Sequence, residues 1–395
     1  MIGRANKMDH FNEAIFGRLK EAAKKVAKSG REVIDLSLGS PDLPPAKIVR
    51  ERLAEASLSP EQYGYTLGGI DRFNEAVAHY YERRSNVSLD PSSEVLLTMG
   101  SQEGLVHLPI AFCNEGDIVL TTNPAYVAYD QGIHLAGAKP YYMTLDEKNG
   151  YLPNLSEIPE EVAQRAKLLI LNLPGNPVPA MPTYDYFEQV IAFAKKYQIL
   201  ILHDAAYSEY YFTGEKPMSF LEVEGAKDVG LEINSLSKSF SLAGARIAYI
   251  VGNKTAIHHF RQLKTNLDYG VFQPIQEAAI VALDHAEDIT EKLRRVFKKR
   301  HQIMMEGLVS IGWKAVPSQG GMFVWVKYPY EEATKDFAFR LIKEAGIVTV
   351  PGTEFGSEGE GYLRLALVQN EEKLQKAIDA LKQFDSQYKE RGDHQ

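Results

Sequence analysis

Short, continuously apolar runs alternate with helical stretches through the first two thirds of this chain, and that alternation limits its fold more than any other feature. The runs occupy residues 95–98 (Val-Leu-Leu-Thr), 118–121, 168–173, 199–203, 231–235 and 247–251. A strand covered on both faces is apolar at every position, whereas a half-solvated strand alternates. Helical patterns over 72–84, 101–112, 126–136 and 184–197 fill most of the gaps. The expected fold is α/β: a three-layer, mostly parallel sheet with helices on both faces. After about residue 275 the pattern changes. Residues 275–310 read as one long helix or two in series. Shorter strands follow near 322–327, 347–350 and 362–367, with helices over 333–345 and 371–388, which makes a smaller α+β unit.

A chain of 395 residues has room for two or three domains. The expected division is an N-terminal arm and helix over 1–40 that packs with the small domain, a large domain over 41–285 and a small C-terminal domain over 286–395. Segment 11–28 (Phe11, Ile15, Leu19, Ala22, Ala23, Val26) reads as an amphipathic helix. Asp9, Glu13 and Glu21 interrupt its positive charge, so it is expected on the protein body rather than on a membrane surface. The tail 389–395 is polar and expected to fray.

Composition removes several function classes. The formal net charge is −8, against the basic face of a nucleic-acid binder. No run reaches the roughly 18–20 apolar residues that cross a bilayer, and no apolar signal core follows the early basic residues. The single cysteine, Cys113, excludes an intramolecular disulfide and reads as a small buried hydrophobe. The ten histidines show no metal-ligand spacing, so no metal is expected. A cytoplasmic location is the expectation.

Five segments could carry chemistry. In Asn234-Ser-Leu-Ser-Lys-Ser-Phe-Ser-Leu-Ala-Gly-Ala-Arg246 a lysine stands between two apolar strands. An ammonium is costly there unless it has a partner or a role, and a Schiff-base lysine has one. Ser235, Ser237 and Arg246 could bind a phosphate. Asp204 ends an apolar strand, where an N-cap is the plain reading and the ligand-binding edge of the sheet the functional one; Tyr207 follows three residues on. Gly100 precedes Ser101 and Gln102, whose amides would lead a helix and suit an anion. Asn123-Pro124 and Asn176-Pro177 each follow a strand. Their prolines are turn residues or rare cis bonds, and Tyr126 and Asn176 beside them are candidate ring contacts. Arg364 alternates with Leu363 and Leu365; it could reach solvent or grip a carboxylate bidentately.

Together these segments resemble the fold-type-I aminotransferases that depend on pyridoxal 5'-phosphate, the aspartate aminotransferase superfamily of class I and II. The likeness runs from Ser37-Leu-Gly-Ser-Pro-Asp42 to Leu363-Arg-Leu-Ala366 and rests most on the pattern Ser-x-Ser-Lys-x-Phe-x-x-x-Gly-x-Arg. The resemblance implies that Lys238 holds the cofactor and later moves the substrate α-proton. It implies that Asp204 keeps the ring nitrogen protonated, that Asn176 and Tyr207 bind the phenolic oxygen and that Tyr126 stacks on the ring. Ser101, Gln102, Ser235, Ser237 and Arg246 would hold the phosphate, and Tyr65 would reach the phosphate of a second subunit in a homodimer. Gly39 and Arg364 would bind the substrate α-carboxylate. Family members often have cis bonds at the two Asn-Pro positions. Where they usually read Asn-Pro-Thr-Gly, this chain has Asn176-Pro-Val-Pro179, so the turn after Asn176 is expected to differ.

The implied activity is transfer of an amino group from an L-amino acid to a 2-oxo acid, 2-oxoglutarate first, by a ping-pong cycle. His203-Asp-Ala-Ala-Tyr-Ser208, Gln273-Pro-Ile-Gln-Glu-Ala-Ala279 and Gly352-Thr-Glu-Phe-Gly356 are similar to LL-diaminopimelate aminotransferases. Aspartate-like, methionine-type and aromatic donors stay open, as does a carbon–sulfur lyase with the same cofactor. A nicotinamide enzyme is disfavoured because no Gly-x-Gly-x-x-Gly follows an early strand. A transcription-regulator module is disfavoured because residues 1–36 are too short for an appended DNA-binding domain.

Overall fold

The computed structural model describes residues 2–11 and 15–392. The strands are, in chain order, β1 (Ile34–Asp35), β2 (Val95–Thr98), β3 (Ile118–Asn123), β4 (Lys139–Thr144), β5 (Ala166–Asn172), β6 (Leu200–Asp204), β7 (Gly230–Ser235), β8 (Ala248–Gly252), β9 (Lys314–Ala315), β10 (Phe323–Lys327), β11 (Ile347–Val348), β12 (Val350–Pro351) and β13 (Tyr362–Ala366). Strands β2 to β8 form one seven-stranded sheet in the order β2-β8-β7-β6-β5-β3-β4. Only β8 runs against its neighbours; the other pairings are parallel.

The period-2 geometry of a strand sends successive side chains to opposite faces. Leu168, Ile170, Leu202, Leu231 and Ile233 pack with Leu105, Leu108, Ile257 and Phe260 of the helices Ser101–Phe112 and Lys254–Leu267. Leu169, Leu171, Ile201, Tyr249 and Val251 pack on the other face with Phe73, Val77, Phe187, Val190 and Leu283. Those residues belong to the helices Asp71–Ser85, Tyr184–Tyr197 and Gln273–Asp284. Two covered faces explain why the runs are apolar at every position. Local signals end the helices as chemistry requires. Thr183 caps the helix Tyr184–Tyr197 by accepting the Tyr186 amide at 3.2 Å, and Gln198 closes it in the left-handed region.

Strand β4 is absent from the sequence reading. It is the edge of the sheet, carries Pro140, and exposes Lys139 and Tyr142. An edge strand tolerates a proline and needs no continuous apolar run, so the usual signal is missing.

In the C-terminal unit, β12-β13-β10-β9 make an antiparallel sheet. The 275–310 stretch is two helices in series, Gln273–Asp284 and Ala286–Ser310. Helices Thr334–Ala345 and Glu371–Gly392 complete this unit. The last of them extends past the expected end at 388 into the polar tail; residues 393–395 lie outside the described residues. The N-terminal segment joins this unit. Strand β1 pairs in parallel with β11, and the helix Ile15–Lys28 buries Ile15 and Leu19 against Ile342 and Val348. Residues 12–14 of the expected 11–28 helix, Glu13 among them, lie outside the described residues. Trp313 and Trp325 are both core residues here, and Cys113 is buried.

Candidate active site

The parallel strands β3, β5, β6 and β7 deliver their carboxyl ends to one cavity of about 280 Å³. Its lining brings together residues more than 300 positions apart, from Gly39 to Arg364. Gly39, Ser101, Gln102, Tyr126, Asn176, Asp204, Tyr207, Ser235, Ser237, Lys238, Arg246 and Arg364 all face it. Tyr65 does not. It is 85% exposed on a loop, with its ring 5.1 Å from that of Tyr269.

Lys238 lies in the four-residue helix Leu236–Ser239 that directly follows β7. Ser235 caps this turn, its Oγ accepting the Ser237 amide at 3.2 Å. The Lys238 Nζ donates to the Gly39 carbonyl. Burial, with Arg364 and Arg246 adding repulsion, pushes its ammonium down to about 8. A neutral amine is therefore within reach near neutral pH.

Asp204 ends β6 and is buried. Its Oδ2 accepts from Tyr129 Oη at 2.8 Å and its Oδ1 from the Ala206 amide at 3.2 Å. Burial raises its carboxyl above the ordinary range. A cationic partner at the mouth of this carboxylate would restore its charge.

Arg364 sits on β13 between Leu363 and Leu365, and only 2% of it is exposed. Its guanidinium stacks 4.3 Å from the Phe323 ring centre and 5.2 Å from that of Phe355. Nη1 donates to Asn176 Oδ1 at 3.1 Å and Nη2 to the Ser37 carbonyl at 2.6 Å. Nε is buried without a partner, and no carboxylate pairs with the group among the described residues. Burial pushes the guanidinium down to about 10, which leaves it cationic at neutral pH. A buried cation lacking an anion calls for an anionic ligand.

An anion cradle adjoins Lys238. The helix Ser101–Phe112 begins without a side-chain cap, so its leading amides are free for a ligand. Gly100 has φ +79°, and a Cβ there would overlap the Arg246 guanidinium. Glycine thus brings Arg246 against the helix start. The hydroxyls of Tyr126 and Tyr207 have no hydrogen-bond partner among the described residues, and burial raises both phenols.

Asn123-Pro124 and Asn176-Pro177 are cis, and so is Leu173-Pro174, which no sequence signal marked. The Val-Pro segment after Asn176 closes by a Gly175 amide to Val178 carbonyl bond of 3.1 Å and buries Val178. Three contributors escaped the sequence reading. Tyr129 grips Asp204 from the helix Ala128–Leu135, and its spacing of three from Tyr126 would have put both on one face. Asn172, at the end of β5, donates to the Asp204 carbonyl at 2.7 Å. Phe16 lines the cavity from the N-terminal helix.

Behind Asp204 lies a sealed pair. His203 Nδ1 is 2.9 Å from Glu232 Oε2, and Nε2 is 2.9 Å from the Leu173 carbonyl. A carbonyl can only accept, so Nε2 carries a proton. Glu232 accepts from Tyr81, Ser219 and the Phe220 amide as well, as a carboxylate does. Nδ1 and the Glu232 carboxyl then share a buried hydrogen bond.

Comparison with known proteins agrees with this constellation. The model of the family "Aminotransferase class I and II" matches residues 31–381. The LL-diaminopimelate aminotransferase of Aquifex aeolicus (strain VF5) is 43% identical over 369 residues, covering 93% of this chain and 95% of that protein. The enzyme of the same name from Syntrophobacter fumaroxidans is 39% identical over 382 residues, covering 96% and 98%. Among solved structures, substrate-bound BacF from Bacillus subtilis superposes with a TM-score of 0.93 at 35% identity, covering 98% of each chain. A Thermus thermophilus aspartate aminotransferase double mutant gives 0.90 at 26% identity, covering 97% and 100%.

Proposed function

This chain belongs to the class I and II aminotransferases, and from that premise we propose that it takes the amino group of LL-diaminopimelate and gives it to 2-oxoglutarate in a ping-pong cycle. It is a transaminase, and its cofactor is pyridoxal 5'-phosphate. The donor reading is supported by the relatives of that name over nearly the whole chain.

The residues present fit the cofactor. A phosphate suits the uncapped helix start at Ser101 and Gln102, with Ser235, Ser237 and Arg246 beside it. Asp204 suits a protonated ring nitrogen, because a cation there offsets the burial that raises its carboxyl. Asn176 and Tyr207 suit the phenolic oxygen, and Tyr126 suits the ring face. When bound, the cofactor supplies an aldehyde carbon and a ring that takes up the electron pair left at the substrate α-carbon.

The chain's own groups do the rest. Lys238 Nζ, partly neutral near pH 8, would hold the cofactor's aldehyde carbon with loss of water and, once the substrate amine has displaced it, would as a free amine carry the α-proton. Arg364 binds the α-carboxylate with a guanidinium that Asn176 and the Ser37 carbonyl orient, and the Gly39 carbonyl orients the lysine amine. Phe16, Phe323 and Tyr126 give the cavity its aromatic walls. The observation that carries this reading is the buried, anion-lacking Arg364 in the same cavity as a lysine with a depressed pKa.

We read the assembly as a homodimer. Tyr63, Tyr65, Tyr269 and Phe272 form an exposed aromatic patch, with Tyr63 edge-on to Phe272 at 5.2 Å between ring centres. Such a patch fits a subunit interface, and Tyr65 would reach the partner's phosphate from it. Among the described residues no helix is long and apolar enough to cross a membrane; a cytoplasmic location is our reading. The deciding experiment is a panel of amino donors, LL-diaminopimelate, aspartate, methionine and phenylalanine among them, followed spectrally in half-reactions and then with 2-oxoglutarate. Diaminopimelate should lead by kcat/KM; a tenth of the best rate or less would defeat the donor assignment.

A further inference from the structure

A second cavity, of about 430 Å³, opens from the first and shares Phe16, Tyr126, Val127 and Arg364 with it. With the α-carboxylate on Arg364 and the reacting carbon near Lys238, this space is the one into which a donor's side chain extends. Among the described residues that line it, Arg364 is the only lysine or arginine.

Its far wall is built by the helix Ala128–Leu135 and the edge strand β4. Asp130, on the helix, accepts a hydrogen bond from Tyr142 Oη of β4 at 3.1 Å. No lysine or arginine pairs with this carboxylate among the described residues. One turn on, His134 stacks on His10 with ring centres 3.9 Å apart and 7° between planes. Burial and the neighbouring His10 hold His134 below the usual histidine range against the pull of Asp130, which disfavours a positive charge there. Glu354, the other acid on the wall, is already paired with Lys335 at 3.0 Å. Among the described residues the far wall thus offers one carboxylate that is half-withdrawn from water, without a cation and fixed by a phenol.

We propose that Asp130 and Tyr142 form a distal subsite that takes a second ammonium group, so that this enzyme selects donors carrying an amine at the far end of the side chain. The proposal rests on the transaminase reading above and deepens its donor assignment. A carboxylate aimed into a substrate cavity binds an ammonium by a charge-assisted hydrogen bond, while a bare distal carboxylate would meet repulsion.

The test uses holoenzyme and two donors that differ only in the distal amine, LL-diaminopimelate and L-2-aminopimelate. The wild type should favour the diamine, and Asp130→Asn should shrink the ratio of the two kcat/KM values by about 10- to 100-fold. Tyr142→Phe should shrink it in the same direction by less, through loss of the phenol that fixes Asp130. An unchanged ratio in Asp130→Asn overturns the subsite, whether both donors fall together or neither does. If the wild type refuses diaminopimelate yet uses L-lysine, and Asp130→Asn removes that use, the donor assignment falls and the subsite stands. If the wild type prefers L-2-aminopimelate to every diamine, both fall.

Discussion

His203 on β6 and Glu232 on β7 are register partners across two parallel strands, and each is sealed from water at 1% and 2% exposure. Their 2.9 Å contact is a hydrogen bond buried behind Asp204, the next residue on β6. Removing His203 leaves the buried Glu232 carboxylate short of one donor and costs about 1.5–3 kcal/mol. His203→Leu should therefore lower the urea midpoint strongly. The double variant His203→Leu with Glu232→Gln should recover part of the loss. Equal midpoints for wild type and the single variant would refute this stabilising contact. Burial pushes the Glu232 carboxyl up, but the bonds from His203 and Tyr81 hold it below the ordinary value. Its contribution is present above that ordinary value and is lost as pH falls through the lower folded one, so the wild type should be the more acid-sensitive protein.

Lys238→Ala should abolish covalent attachment of the cofactor. Borohydride treatment of the wild type should fix a mass increment on the peptide spanning 235–246 and fix none on the variant. Turnover should drop by about 1,000-fold or more, the scale of a lost proton-transfer group.

The amine of Lys238 sets a pH dependence. Its folded value, about 8, lies below that of an ordinary lysine. The rate at which apoenzyme captures pyridoxal phosphate should rise with pH and level off above about 8. The unfolded chain holds more protons between these two values, so apoenzyme stability contributed by this group should increase as pH rises through that window. A flat capture rate from pH 6 to 9 would contradict the assignment.

Arg364→Lys should raise KM for amino and 2-oxo acids alike. A lysine loses the planar fork and its stacking on Phe323, and leaves Asn176 unpaired. The expected loss in kcat/KM is about 30- to 100-fold, from about 2–3 kcal/mol of charge-assisted bonding. An effect confined to one substrate would argue against carboxylate binding.

Tyr65→Ala should weaken cofactor retention without disturbing the fold, since the side chain is 85% exposed in the single chain. Sedimentation should give a dimer in both proteins. A fully active monomer would exclude the loan of Tyr65.

The parallel sheet was legible because strands covered on both faces are apolar throughout, as in Leu168–Leu171. Strand β4 was not, because an edge strand with Pro140 needs no such run. The residues of the cavity were legible where a local motif carries them, as with Lys238 and Arg246. Tyr129, Asn172 and Phe16 were not, because their roles come from packing between distant segments. The His203–Glu232 pair is of the same kind: 29 positions separate its members, and only strand register brings them together.

The two-residue pairing of β1 with β11 has a weight beyond its size. It stations Ser37, whose carbonyl receives Arg364, and Gly39, whose carbonyl receives Lys238. Residues 34–39, with Phe16 before them, therefore help to wall the reaction chamber. Trimming them to ease crystallisation or expression would disarm the enzyme while leaving its main sheet intact.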